Sequence, residues 1–540
     1  MVYDYVIVGA GSAGCVLANR LSENPKVTVC LLEAGPPDWH PLIHIPVGIL
    51  WMMRSRVLNW NFYTRPEAEL NGRSLFWPRG RTLGGSSASN AMCYTRGHAA
   101  DYDAWSAEGN PGWAFHDLLP YFKRAQHQMR GASTYHGVGG FLSVADQRSP
   151  NPLSQVFIDA CVQTGFALND DFNGAEQEGV GFYQVTQQDG QRCSLASAYL
   201  KPARKRANLR IITGAHATRV LMTERCATGV EYFARGVLHR VAARCEVLLC
   251  AGAIQSPQLL LLSGVGEEAQ LAQFGITPVH ELPGVGKNLQ DHLDVCLVQR
   301  CRQVLSYGLT PRNILLGLPN LLRYWCTRRG MLTSNGAEAG GFIKSHVSER
   351  LPDLQFHFTP APLRDHGRDL CFLAQEGYTL HVCQLRPKSV GEIRLASADP
   401  FEKPAIHANY LSHPDDMAAL VRGVRIARQV LAAAAFDAYR GRELIPSAGM
   451  MADDDASIRQ FIRAHAETIY HPVGTCKMGM DSLAVVDPQL RVHGLAGLRV
   501  VDASIMPHLI GGNTNAPTVA IAEKAADLIL SNAISPLTRA

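Results

Sequence analysis

The strongest constraint on this chain lies at its amino end. Residues Tyr3 to Val8 are β-branched and aromatic, the make-up of a buried parallel strand, and run straight into Gly9-Ala10-Gly11-Ser12-Ala13-Gly14. The pattern predicts a helix from Ser12 to about Asn24, with Val16, Leu17 and Leu21 on one face, then a strand over Val27 to Leu32 that ends at Glu33. Glu33 falls 19 residues after Gly14. In such a GxGxxG turn Gly9 permits the tight bend, Gly11 lets the backbone touch a pyrophosphate, and Gly14 lets the helix pack closely. The amino end of the helix stabilises the phosphate charge. Glu33 is placed to accept hydrogen bonds from the ribose of an adenosine. A chance glycine turn would not carry strand, helix, second strand and acid in this order. The motif serves FAD and NAD alike.

Composition narrows the function from the other side. With 51 basic and 47 acidic residues the net charge is 51 − 47 = +4, too small for a nucleic-acid partner. A hydrophobic fraction of 46% with 18% charged residues excludes a disordered or coiled-coil chain. None of the 14 cysteines forms a CxxC, and the closest pairs, Cys245 with Cys250 and Cys296 with Cys301, lack histidines at zinc-ligand spacing. Reduced, mostly buried thiols and no metal site are the expectation. The start, Met1-Val2-Tyr3-Asp4, carries no basic leader, and no uninterrupted apolar run reaches roughly eighteen residues. A cytoplasmic location is expected, with peripheral attachment to the cytoplasmic face of the inner membrane left open.

Two further glycine-rich stretches choose between the cofactors. The first reads Gly80-Arg81-Thr82-Leu83-Gly84-Gly85-Ser86-Ser87-Ala88-Ser89-Asn90-Ala91-Met92, whose small residues let backbone amides touch a flat ligand. The second, Gly252 to Gly266, follows a strand over Val247 to Cys250 and reads as a loop, a helix opened by Pro257 and a glycine stop. Together with Pro283 to His292 (PGVGKNLQDH), Thr468 to Thr475 (TIYHPVGT) and Val501-Asp502-Ala503-Ser504, these stretches resemble the signatures of the glucose-methanol-choline (GMC) oxidoreductases, over nearly the whole chain.

That resemblance implies an α/β fold, α+β overall: a Rossmann-like FAD-binding domain joined to a substrate domain built on an antiparallel sheet flanked by helices. It implies an amino-terminal FAD-binding region over 1–297, a substrate-side region over 298–386, and a carboxy-terminal region over 387–530 whose part 471–530 returns to the flavin, so the FAD domain is discontinuous. It also implies FAD rather than NAD, held by Gly9, Gly11, Ser12, Ala13, Gly14, Glu33, Ala34, Arg81, Gly84, Gly85, Ser86, Ser87, Asn90, Ala91, Met92, Ala217, Asp502, Ala503, Thr514 and Pro517. Some members attach flavin through a histidine just before the asparagine of the first signature. Ser89 stands there in this chain and cannot form that bond, so the FAD is expected to be noncovalent.

By the same resemblance His471 lies over the reactive face of the flavin. A histidine suits a general base because its pKa lies near neutrality. Within Gly511-Gly512-Asn513-Thr514-Asn515-Ala516-Pro517-Thr518, Asn515 is taken as the second catalytic position, and Val519 to Leu530 reads as a helix whose positive amino end would stabilise reduced flavin. The implied reaction is oxidation of an alcohol: His471 accepts the hydroxyl proton, Asn515 and His471 hold the alkoxide, and a hydride passes to flavin N5. Asn71 to Gly80 and Gly181 to Gln187 resemble the aliphatic alcohol dehydrogenases of alkane-degrading bacteria, which implies a medium-chain primary alcohol and a quinone or other respiratory acceptor. The alternatives are an aryl- or furfuryl-alcohol oxidase using O2, a choline or polyethylene glycol dehydrogenase, and an FAD-containing lyase without net redox. A choline site would need an aromatic box and a carboxylate, for which Trp51, Trp60, Trp325 and Glu338 are candidates.

The substrate half, roughly 300–470, contains alternating segments at Leu380 to Leu385 and Glu392 to Leu395 that predict an antiparallel sheet, with an amphipathic helix over Asp415 to Leu431 covering it. In Pro311 to Met331, Leu318, Leu321, Leu322 and Trp325 recur at helical spacing among Arg312, Arg323, Arg328 and Arg329. A packed helix is the favoured reading, ahead of a lid or a helix on a membrane surface. The apolar run Pro46 to Met53 is a candidate seal for an apolar substrate entrance.

Overall fold

The computed structural model describes residues 1–446 and 454–533. Two sheets organise them. In the first, the strands lie in the order Leu209–Thr213, Val29–Glu33, Val2–Val8, Val237–Leu249, Cys226–Ala234 and His216–Thr223, with Leu498–Val500 beside Val237–Leu249. Val2–Val8 is parallel to both its neighbours, and the hairpin of His216–Thr223 with Cys226–Ala234 adds an antiparallel edge. Parallel strands need cover on both faces. The helix Ser12–Leu21 covers one, burying Val16 and Leu17, and the helix Asn515–Ala533 packs on it. This is the dinucleotide-binding half of an α/β fold, as expected.

The boundaries differ from the sequence reading for local reasons. Ser12–Leu21 stops short of Asn24 because Pro25 disfavours helical backbone at Asn24 and Ser22 turns its hydroxyl back onto the Ala18 carbonyl. Between Leu209 and Thr223 the chain forms two strands, Leu209–Thr213 and His216–Thr223, broken at Gly214. Pro257 does not open its helix. That helix starts at Gly252, and Pro257 lies inside it. A proline there leaves the Ala253 carbonyl without its intrahelical donor. The Thr475 hydroxyl donates to that carbonyl at 2.6 Å, which ties the helix to the segment carrying His471.

The second sheet is antiparallel, in the order Arg440–Ile445, Leu293–Cys301, Gly377–Gln384, Leu354–Thr359, Ala339–Ile343 and Gly179–Phe182, with Glu467–Thr468 against Leu293–Cys301. Side chains alternate between its faces. Val295, Leu297, Phe356, Phe358, Leu380 and Val382 belong to a core with the helices Pro152–Gln163 and Pro414–Ala432. Asp294, Cys296, His357, Thr359 and His381 line a cavity on the other face. Leu380 to Gln384 lies in this sheet as expected, whereas Glu392–Arg394 pairs only with Ala405–His407 in a separate ribbon. The strand Leu293–Cys301 crosses the expected boundary after residue 297, and Gly179–Phe182 comes from the amino-terminal region, so the substrate sheet draws on more of the chain than the stretch of roughly 300–470.

The segment 311–331 is not packed into the core. It forms the helices Pro311–Leu315 and Gly317–Thr327, and of these residues only Tyr324 is buried. No described helix is long and apolar enough to cross a membrane.

Candidate active site

A cavity of about 590 Å³ runs between the two sheets. At one end it meets the first glycine turn. A Cβ on Gly14 would lie 1.9 Å from the Gly9 carbonyl oxygen, so the helix and turn approach as closely as backbone allows. A Cβ on Gly85 would lie 2.7 Å from the Gly11 Cα, so the second glycine-rich stretch rests directly on the first. The helix Ser12–Leu21 has no side-chain cap and no acid in its first turn, which leaves its amide groups free to face an anion. Glu33 accepts from the Ala10 amide at 2.9 Å and the Gly35 amide at 2.7 Å, and burial pushes its carboxyl up to about 7. Small residues, amides at a helix end and a buried acceptor fit an adenine dinucleotide.

Most residues expected at the cofactor do line this cavity. They are Gly9, Gly11, Ser12, Ala13, Glu33, Ala34, Gly85, Ser86, Asn90, Ala91, Met92, Ala217, Asp502, Ala503 and Thr514. Five do not. Gly14 lies beneath the turn, and Gly84 is buried behind Gly85. Ser87 spends its hydroxyl on the Gly84 carbonyl and the Leu195 amide. Arg81 places its guanidinium 4.8 Å over the Trp60 ring, facing a neighbouring depression. Pro517 is buried in the first turn of its helix. Asp502 is a joint: it accepts from the Gly252 amide at 2.8 Å, the Ser256 hydroxyl at 2.6 Å and the Ser504 amide at 2.8 Å, clamping the last strand to the loop after Val237–Leu249. Burial raises its pKa. The sequence reading missed Arg192, a buried cation that donates to the Asn90 carbonyl at 2.6 Å and its Oδ1 at 2.8 Å.

At the other end lies His471, 8% exposed. Its backbone amide donates to Asp291 Oδ1 at 2.7 Å. Asp291 also accepts from Thr468 at 2.6 Å and from the Tyr410 hydroxyl, and burial pushes its carboxyl up to about 6. The ring of His471 is held at both nitrogens. Nδ1 lies 2.9 Å from Nδ1 of His292, and Nε2 lies 3.2 Å from Nδ2 of Asn513.

These contacts fix where the proton sits. His292 Nε2 faces the Leu385 carbonyl at 3.0 Å, which only accepts, so that nitrogen carries the hydrogen. Burial holds His292 neutral, with its pKa down to about 3, and its Nδ1 is therefore a lone pair. His471 must donate from Nδ1, which leaves its Nε2 unprotonated. Asn513 agrees from the other side. Its Oδ1 accepts from the Thr95 hydroxyl at 2.9 Å and from Gln355 Nε2 at 3.2 Å, so its amide hydrogens point at His471 Nε2. Burial, then His292, His357 and Arg79, keep His471 well below the usual histidine pKa of 6.5.

The structure corrects one site assignment. The residue against His471 is Asn513, not Asn515. Asn515 lines the cavity at the start of its helix but accepts from the Ser12 hydroxyl at 2.7 Å, joining the amino ends of two helices. Strand register brings up further residues the sequence reading missed. His357, His381 and Cys296 sit side by side across three strands. His381 Nδ1 lies 2.7 Å from Asp294 Oδ2 and 3.1 Å from Cys296 Sγ, so a cysteine without a sequence-near histidine has one in space. His357 Nδ1 and Asp294 Oδ1 are buried with no partner, and both residues line the cavity. The box suggested for choline does not form: Trp51 and Trp325 are exposed, and Glu338 is spent on Asn151, Ser154 and Ser334.

Comparison with known proteins agrees with this geometry. Models described as GMC oxidoreductase match residues 3–294 and 387–522. The chain is 52% identical over 532 residues to an alcohol dehydrogenase [acceptor] of Pseudomonas putida, covering 98% of this chain and 96% of that one. It is 45% identical over 545 residues to the mitochondrial choline dehydrogenase of Homo sapiens, covering 98% and 89%. Among solved structures it is similar to pyridoxine 4-oxidase from Mesorbium loti, with a TM-score of 0.87, 32% identity, and coverage of 97% and 98%. It is also similar to an Aspergillus oryzae formate oxidase variant, with a TM-score of 0.90, 28% identity and 98% of each chain covered.

Proposed function

The chain belongs to the GMC oxidoreductases, and on that premise we propose that it is an FAD-dependent dehydrogenase that oxidises an uncharged, fairly apolar primary alcohol to the aldehyde. Its electrons go to a quinone or another respiratory acceptor. The observation that carries this reading is the placement of the His471 ring at the cavity, between His292 Nδ1 at 2.9 Å and Asn513 Nδ2 at 3.2 Å, an arrangement that calls for an unprotonated Nε2. FAD, when bound, supplies the acceptor for a hydride.

His471 Nε2 takes the hydroxyl proton as general base. The imidazolium so formed keeps its Nδ1 hydrogen on His292 and presents the new Nε2 hydrogen to the substrate oxygen. Asn513 Nδ2 is a second donor to that oxygen and, being an amide, cannot compete for the proton. Burial favours return of His471 to the neutral state, which readies the base for the next turnover. Ile49, Leu50, Met53 and Leu363 give the cavity an apolar wall suited to an alkyl chain. Noncovalent FAD is supported by Ser89, which lines the cavity with a hydroxyl rather than an imidazole. The similarity to the Pseudomonas putida alcohol dehydrogenase [acceptor] supports an acceptor other than NAD.

A second reading rests on Asp294. It is 2% exposed and lines the cavity, and its buried Oδ1 has no partner. Such a group favours a substrate that brings a donor or a cation to its far end, as choline would, in keeping with the 45% identity to a choline dehydrogenase. The experiment is a panel of octan-1-ol, benzyl alcohol and choline, with a quinone analogue and with oxygen as acceptor. The first reading expects octan-1-ol with the quinone analogue to give the highest kcat/KM. Preference for choline, lost in Asp294→Asn, would replace it with the second, and peroxide formed at the rate of turnover would make the protein an oxidase.

A further inference from the structure

Outside the cavity, the least expected surface is the helical pair Pro311–Leu315 and Gly317–Thr327. A soluble protein rarely leaves a contiguous apolar face uncovered. Here Ile314 is 65% exposed, Leu315 80%, Leu318 66%, Leu322 58% and Trp325 73%. The pair is nonetheless anchored. Tyr324 is buried and donates to the Gly190 carbonyl at 3.1 Å, and Asn313 donates to the carbonyls of Ser306 and Gly308. The apolar side therefore faces outward on a fixed base.

Charge decides what covers it. From Thr310 to Ala337 the chain has no Asp or Glu, and it has four arginines, Arg312, Arg323, Arg328 and Arg329. A second copy docking by this face about a two-fold axis would set the same arginines against each other. An anionic lipid surface meets both features, taking the leucines and Trp325 into the acyl boundary and the arginines at the headgroups. Position adds a reason. Met331–Thr333, directly after the pair, packs against Pro46–Gly48, which leads into the cavity wall at Ile49 and Leu50, and the Leu309 amide just before the pair donates to the Leu373 carbonyl at 2.8 Å.

We propose that this helical pair docks the protein on an anionic membrane surface beside the mouth of its cavity, so that an apolar alcohol can be drawn from the lipid phase. The docking itself does not depend on which alcohol is oxidised. The test is sedimentation of the FAD-loaded protein with vesicles rich in phosphatidylglycerol and with vesicles of phosphatidylcholine alone. The protein should sediment with the anionic vesicles at least tenfold more strongly than with the neutral ones, and added salt should release it. The triple variant Leu318→Ser, Leu322→Ser, Trp325→Ser should lose that binding while keeping its flavin content and its turnover of a short water-soluble alcohol. Arg312→Glu with Arg323→Glu gives a second, independently folded check with the same expected loss. Binding unchanged in both variants, or no binding by the parent protein, would overturn the proposal. So would a concentration-dependent dimer that the triple variant abolishes, since the face would then belong to a second copy.

Discussion

His292 Nδ1 lies 2.9 Å from His471 Nδ1, and because His292 gives its only hydrogen to the Leu385 carbonyl, it compels His471 to present a bare Nε2 to the cavity. A histidine pair at this distance with both rings charged would repel. Burial lowers the pKa of both, so the pair stays neutral.

Flavin reduction should therefore be flat from neutral pH down through 6.5. A histidine whose folded pKa is depressed loses its basic form only below that depressed value. Removing His292 frees His471 to adopt the other tautomer and takes away a neighbour that lowers its pKa. His292→Ala should slow flavin reduction on the order of 10- to 100-fold, as for other partners that orient a reacting histidine. It should also move the acidic limb to higher pH. Stopped-flow reduction across pH reads both, and a purely structural role would lower the amplitude without moving the limb.

Asn513 and Asn515 should separate cleanly. Asn513→Ala removes a donor to the substrate oxygen and should cost roughly 100-fold or more in flavin reduction while flavin content holds. Asn515→Ala breaks only the bond from the Ser12 hydroxyl and should weaken FAD retention more than it slows reduction. Rapid-mixing kinetics and flavin-to-protein ratios of the two variants check this.

Glu33 makes FAD binding depend on pH. Its carboxyl, held near 7 by burial in the free protein, accepts best from ribose hydroxyls when ionised. The protonated form, favoured as pH falls, must lose its proton to accept fully. Affinity for FAD should fall by about tenfold from pH about 8 to about 6. Titration of the deflavinated protein with FAD measures it, and Glu33→Gln should bind more weakly with that dependence gone.

Thr475 and Pro257 should behave as a pair. Thr475→Val leaves the Ala253 carbonyl without a donor and should cost about 1–3 kcal/mol. Pro257→Ala restores a backbone N–H aimed at that carbonyl, so the double variant should recover much of the loss. Urea denaturation of the four proteins gives the coupling, and additive effects would refute it.

Legibility in the sequence followed the range of the forces. The turn Gly9 to Gly14 with Glu33 is local, and its spacing placed Gly9, Gly11 and Glu33 at the cavity, with Gly14 beneath the turn. The extent of the helix around Pro257 was misread because its missing bond is made by Thr475, more than two hundred residues away. Asn513 and Asn515 are both near the start of one helix, and only Thr95 and Gln355, from distant strands and loops, turn Asn513 toward His471. His292 closes the stretch Pro283 to His292, but nothing local aims its ring at His471. His357 and His381 carried no site signal, because strand register rather than spacing brings them together. The periodicity of 311–327 was plain, yet periodicity cannot say whether an apolar stripe faces core or solvent.

The central claim is that His471 Nε2 takes the substrate proton. Anaerobic single-turnover mixing of His471→Ala with alcohol tests it most directly. The variant should bind FAD and remain yellow, with flavin bleaching slowed by roughly 10²- to 10⁴-fold relative to the parent. Bleaching at a near-parental rate would contradict the account, and a parent protein that stays yellow with every alcohol tried would point to chemistry without net redox.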